Sequence, residues 1–145
     1  MTDAVTHHSS PPSSLRELPL QECLDLLETT TVGRVAFVDD VCQRIVPVNF
    51  VVLRGTVYFR TAHDGLLAGL HSGHPDVAFE VDHHDDTYRH GWNVTVQGAA
   101  RGVEDRATIN LVLGNSRLRP WAGGSRPVVV AIDANSVAGR RVAGG

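Results

Sequence analysis

Apolar and polar residues alternate in several short runs of this chain, and in three segments a helical reading takes the place of alternation. In "ELPLQECLDLLETT" the residues Leu20, Cys23, Leu24 and Leu27 fall at i, i+3, i+4 and i+7. That is one face of an α-helix, and Pro19 suits its first turn. "VGRVAFV" and "RIVPVNFVVL" follow as strands with turn chemistry at Asp39-Asp40, and Arg54-Gly55 turns the chain into a third strand, "TVYFRT". Pro47 cannot donate to a ladder, so it marks an edge, a bulge or a place where something else approaches. "DGLLAGLHSG" predicts a short helix, with Asp64 able to cap it and Gly73 to end it. "PDVAFEVD" reads as a fourth strand, "HHDDTYRH" as a polar loop, and "GWNVTVQGAARGVE" as a long fifth strand that Gly98 allows to bend. "DRATINLVLGN" predicts a helix opened by Asp105, and "SRPVVVAIDANSVAGRRV" a sixth strand. Six short strands joined mostly by hairpins predict a mainly β chain: a small closed antiparallel barrel with helices packed outside. Residues 1–14 read as a disordered Ser/Pro/His tail, 15–142 as the domain and 143–145 as a second tail.

The length of 145 residues supports one domain with a core. A net charge of -3 and a pI near 6.2 give no pull toward nucleic acid or an anionic membrane surface. No apolar run approaches the roughly 20 residues of a spanning helix. The opening "MTDAVTHHSSPPSS" has no apolar h-region, so no signal peptide is expected. Two cysteines make no disulfide framework, and a reducing cytoplasm is the expected setting. All 13 basic residues are arginine. No lysine Schiff base and no Walker-type lysine is therefore available, and a phosphate would have to be held by Arg forks, hydroxyls and backbone amides.

Most familiar catalytic patterns are missing. There is no GxSxG elbow and no GxGxxG turn. "DHHDDTYRH" holds metal-ligand residue types, but adjacent loop residues rarely converge on one ion, so a solvated loop is the better reading. Cys23 lies on the apolar helix stripe, and nothing near Cys42 marks it as activated. Glu80 is expected to be structural, paired with Arg34 or Arg101. Arg60-Thr61 remains: a guanidinium fork and a hydroxyl where a strand ends before a helix. That set matches a phosphate dianion, and equally describes a solvated arginine. Asn49 offers donor and acceptor to a uracil-like edge. Trp92 and Trp121 offer flat faces for a ring, or anchors for a core or an interface.

The order "VGRVAFV…RIVPVNFVV…TVYFRTA…VAFEVD…GWNVTVQGAA…PWA…VAGRR" resembles the pyridoxamine-5'-phosphate-oxidase-related, flavin-binding split β-barrel proteins over about residues 16 to 142. The resemblance implies a six-stranded Greek-key split barrel, a homodimer, and FMN in a groove between subunits, in an oxidoreductase acting on a small-molecule substrate. It places Arg60 and Thr61 at the flavin phosphate, and Pro47, Val48 and Asn49 along the isoalloxazine ring. Leu66, Trp92 and Trp121 are the further contact positions. Relatives often carry a Ser-Lys pair where this chain has Gly65-Leu66, and Asp64 adds a negative charge beside it. The departure leaves two alternatives open: the deazaflavin coenzyme F420 as cofactor, or a non-catalytic barrel that binds a small ligand. Arg119, Arg126 or Arg140 from a partner chain could replace the missing cation.

Overall fold

The computed structural model describes residues 14–119 and 124–144. Among them are seven strands: β1 (Ser14–Glu17), β2 (Val32–Val38), β3 (Gln43–Leu53), β4 (Thr56–Thr61), β5 (His74–Asp85), β6 (His90–Gly102) and β7 (Val128–Ala143). Two α-helices, α1 (Leu20–Leu27) and α2 (Arg106–Leu113), and two 3-10 turns, Ala68–Ser72 and Ser116–Leu118, complete the set. All strand pairings are antiparallel. The neighbour order is β1-β7-β4-β3-β2-β5-β6, and β6 also pairs with β7 from Gly91↔Val142 to Gly102↔Val130.

Period-two alternation sorts the strands into two faces. One face carries Val35, Phe50, Phe59, Phe79, Val94, Val96 and Ile132, buried in the main core cluster. Each buried Phe there contributes about 2 kcal/mol by leaving water. α1 adds Cys23 and Leu27 to this cluster, and the Ala68–Ser72 turn adds Leu70. On the opposite, outer face, Val51, Val129 and Ala131 form a second cluster with Val112 of α2 and Leu118. α2 therefore covers the β3–β4–β7 sector of the outer face.

Several sequence expectations hold for the reasons that prompted them. The Asp105 carboxylate caps α2, accepting from the Thr108 amide at 2.8 Å. Arg54 and Gly55 both have positive φ, 52° and 79°, as a two-residue hairpin turn requires. The ladder between β6 and β7 slips at Gln97/Gly98, the expected bend.

Others are corrected. Among the described residues there are seven strands, not six. Residues Ser14–Glu17 pair with Arg140–Ala143, so residue 14 and residue 143 belong to strands rather than tails. All four residues of β1 are exposed, so no alternation announced it. "HHDDTYRH" is not one loop: β5 runs to Asp85 and β6 resumes at His90. These strand ends project beyond the core and are polar on both faces. The helix expected from Asp64 starts only at Ala68, as a 3-10 turn without a side-chain cap. Gly73 does end it, with φ 102°. Residues 1–13 of the predicted tail, and residue 145, lie outside the described residues.

Candidate ligand-binding site

Pro47, Val48 and Asn49 lie where β3 loses one of its neighbours. The β3–β4 ladder runs from Leu53↔Thr56 to Phe50↔Phe59 and stops there, whereas pairing with β2 continues through Asn49, Val48 and Pro47. The Phe50 amide donates to the Thr31 carbonyl at 3.1 Å, on the β2 side. By the alternation of the pleat, positions 47 and 49 turn their amide side toward β4, where pairing has ended. The proline thus occupies a position that needs no donor. Pro47 is exposed on the outer face, and the Asn49 side-chain amide donates to the Thr31 carbonyl at 3.3 Å. Val48 points the other way, into the core, and its backbone amide faces β2, so positions 47 and 49 line the opening.

Arg60 is one register step beyond the last β3–β4 pair, opposite Asn49. Its side chain is half-buried, and its Nε donates to the Arg126 carbonyl at 3.0 Å. Among the described residues no carboxylate pairs with it, and its two terminal nitrogens make no hydrogen bond. One hydrogen bond therefore fixes the stem and leaves the fork available. Thr61 is 3% exposed, the one buried polar side chain of the described residues. Its hydroxyl has only a long 3.4 Å contact, to the Ala62 carbonyl. A Cβ added at Gly65 would come within 2.9 Å of this hydroxyl, so glycine lets the loop close over Thr61. Leu66 is 58% exposed, and Asp64 is exposed with no ion pair among the described residues. A free guanidinium fork and an underused hydroxyl fit an oxyanion such as a phosphate ester.

Trp92 is elsewhere. Arg60 pairs with Val129 near the start of β7, while Trp92 pairs with Arg141 near its end. Twelve residues of strand, about 40 Å of contour, separate the two levels. The Trp92 ring packs against the main core, with its centroid 6.4 Å from that of His83. Its outward neighbour is Asn93, beside exposed Arg140 in a cavity of about 480 Å³. The register thus brings Pro47, Asn49 and Arg60 to the outer face at the end of the β3–β4 ladder, with Thr61 next along β4 but buried, and leaves Trp92 apart. Trp121 lies outside the described residues.

Glu80 pairs with Arg34, at 3.5 Å, and not with Arg101, which forms a two-point bridge with Asp133 at 2.6 and 3.3 Å. Desolvation, followed by the charge of Asp82, raises the Glu80 pKa. In the His-rich hairpin, His84 faces Asp86 at 3.7 Å and Asp85 accepts the Tyr88 amide. Among the described residues no group of three His, Cys, Asp or Glu could hold a metal. No helix among them is long and apolar enough to cross a membrane.

The family described as Pyridoxamine 5'-phosphate oxidase matches residues 19–141. The chain belongs to that family. An uncharacterised protein of Mycobacterium tuberculosis is 33% identical over 138 residues, covering 90% of each chain. The structure of an FAD-binding protein from Mycobacterium smegmatis is similar with a TM-score of 0.67 and 33% identity, over 88% of this chain and 98% of that one. An FAD-binding protein from Mesorhizobium loti shares the fold at a TM-score of 0.77 and 22% identity, over 92% of this chain and all of the other. Like these relatives, this family member has a mainly β fold of the flavin-binding, oxidoreductase-like type, with an antiparallel sheet and peripheral helices.

Proposed function

We propose that this chain is a flavin-binding oxidoreductase that holds FMN in the opening between β3 and β4. The carrying observation is the paired end of the ladder: Asn49 and Arg60 face each other one step past the last β3–β4 pair. In this reading the ring lies over Pro47, the Val48 backbone and Asn49, and the phosphate meets the Arg60 fork, the Thr61 hydroxyl and the loop at Leu66. Bound flavin would supply the redox chemistry, while these residues bind, orient and exclude water. The return pairing of β6 onto β7 is read as the closure of a six-stranded Greek-key split barrel, with β1 added at its edge. One barrel offers only half a groove, so the working unit is a homodimer. The partner's β6 then supplies the second wall, with Trp92 fixing the strand from the core side and Asn93 facing outward. The substrate is a small molecule, and the chain acts in the cytoplasm without nucleic acid or membrane.

A second reading is favoured by Leu66, whose exposed apolar side chain stands where a second phosphate cation is expected. A single free fork suits a ligand whose acidic tail extends out of the groove, such as FAD or coenzyme F420. A non-catalytic barrel would bind the ligand but show no turnover. Fluorescence titration of the purified protein with FMN, FAD and F420 separates the cofactor readings, and a turnover assay with an electron donor separates the non-catalytic one. Ring quenching by FMN at tens of micromolar is the expected result. Quenching confined to one of the long-tailed ligands transfers the assignment to that ligand, and quenching by none of the three rejects it.

A further inference from the structure

α1 ends without a cation of its own, since no basic residue stands in its last turn. The last carbonyls of a helix lack partners inside it and carry the negative end of its dipole. The donor that meets them here comes from far along the chain. Arg117, in the 3-10 turn Ser116–Leu118, donates from one terminal nitrogen to the Glu28 carbonyl and, at 3.3 Å, to the Thr30 carbonyl. Among the described residues it pairs with no carboxylate. Its own turn is anchored: Asn115 Oδ1 accepts the Arg117 amide at 3.0 Å, and Leu118 is buried in the outer cluster with Val51 and Val129. The segment that Arg117 grips runs on toward the ligand site. The next carbonyl, that of Thr31, accepts two donors from β3, the Phe50 amide at 3.1 Å and Asn49 Nδ2 at 3.3 Å. A carbonyl can only accept, so this bond decides which way round the Asn49 amide stands. β2 begins only at Val32, and beyond its end a cavity of about 200 Å³ opens between Thr30, Val52, Asn115 and Arg117. The Thr30 hydroxyl is buried with no hydrogen bond. The 28–31 turn therefore borders a cavity, and on that side the guanidinium holds it.

We infer that Arg117 is a positioning residue for the ligand site: by clamping the Glu28 and Thr30 carbonyls it fixes the Thr31 carbonyl, and through it the side-chain amide of Asn49. The clamp lies on the β2 side of β3 and the opening on its β4 side, so Arg117 acts through Asn49 and does not touch the ligand. The inference rests on the flavin reading above for what Asn49 recognises, and on hydrogen bonds within the chain for the clamp itself. Loss of the guanidinium frees the turn, and the Asn49 amide then has to be ordered by the ligand at the moment of binding. That cost falls on the ring end of a flavin and not on its phosphate.

The test is a mutant cycle on the full chain, with Arg117→Ala, Asn49→Ala and the double variant. The first readout needs no ligand. In a proton–nitrogen correlation spectrum the side-chain amide pair of Asn49 is identified by its loss in Asn49→Ala. In Arg117→Ala that pair should move toward the position of an unbonded amide, while the pair of Asn135, far along β7, stays where it was. The second readout is fluorescence titration with FMN and with riboflavin. Arg117→Ala should weaken both about three- to tenfold and leave their ratio unchanged. On the Asn49→Ala background it should weaken neither further, because the group it positions is gone. A purely structural role would instead lower affinity equally in both backgrounds. An unmoved Asn49 pair, or equal losses in the two backgrounds, would overturn the inference. If Arg117→Ala is unfolded by circular dichroism, Arg117→Gln replaces it, with the same shift of the Asn49 pair expected and an unmoved pair counting against the clamp. Arg117→Lys keeps a cationic donor and should recover part of both effects. Wild-type protein that binds neither flavin would reject the cofactor assignment, and the Asn49 resonance alone would then decide the clamp.

Discussion

At the residue scale, the proposed site turns on how many positive donors would reach a flavin phosphate. In that proposal Arg60 supplies one, and Leu66 stands where the family resemblance puts a second. Because Leu66 is largely exposed, Leu66→Lys adds a cation without disturbing the core. A charge-assisted hydrogen bond is worth about 1.5–3 kcal/mol, so FMN should bind roughly ten- to a hundredfold more tightly. An unchanged dissociation constant in a fluorescence titration would remove the loop from the site. Restoring a serine at position 65 as well should erase part of the gain, since its Cβ meets Thr61. Asp39 offers a test of a different kind. The Cys42 amide, then the Arg44 side chain and the Val41 amide, lower its pKa from 3.8 to about 2. A folded-state pKa below the unfolded one means stabilisation present above about pH 4 and lost as pH falls toward 2. Thermal melts of wild type and Asp39→Asn should therefore differ at pH 5–7 and converge by pH 2. A gap that stays constant across that range would show that the amide and guanidinium contacts do not act through the charge.

At the element scale, much was legible in the sequence because local chemistry and tertiary context agreed. Asp105 was identifiable as a cap because a short acceptor preceded an apolar periodic run, and it does accept the Thr108 amide. Asp105→Ala should cost about 1 kcal/mol and lower the melting temperature by a few degrees. No change would mean that α2 is held by its packing on Val51 and Val129 alone. Pro47 announced a break in pairing, but only the register shows that β4 leaves at that point. β1 had no signal, because a short exposed strand has no buried face to impose alternation. The 3-10 turn was misread as an Asp64-capped helix because Leu67 and Leu70 give helical spacing. What decides its geometry is that both leucines enter the core, a tertiary demand. Arg60 and Thr61 were visible as residue types. The separation of Trp92 from them was not, since it depends on which end of β7 each strand meets.

At the scale of the whole molecule, the two faces of the sheet divide the work. One face builds the core; the outer face is covered by α2 in one sector and bare in another, and the opening at Asn49 and Arg60 lies at the join between them. The account predicts that the phosphate, and not the ring alone, fixes the flavin there. The most direct measurement compares FMN with riboflavin, which has the same ring but no phosphate, on wild type and Arg60→Ala by fluorescence titration. FMN should bind wild type at least about tenfold more tightly than riboflavin, and Arg60→Ala should bring the two ligands to nearly equal affinity. Equal affinities in the wild type, or an FMN preference that survives the loss of Arg60, would contradict the central claim.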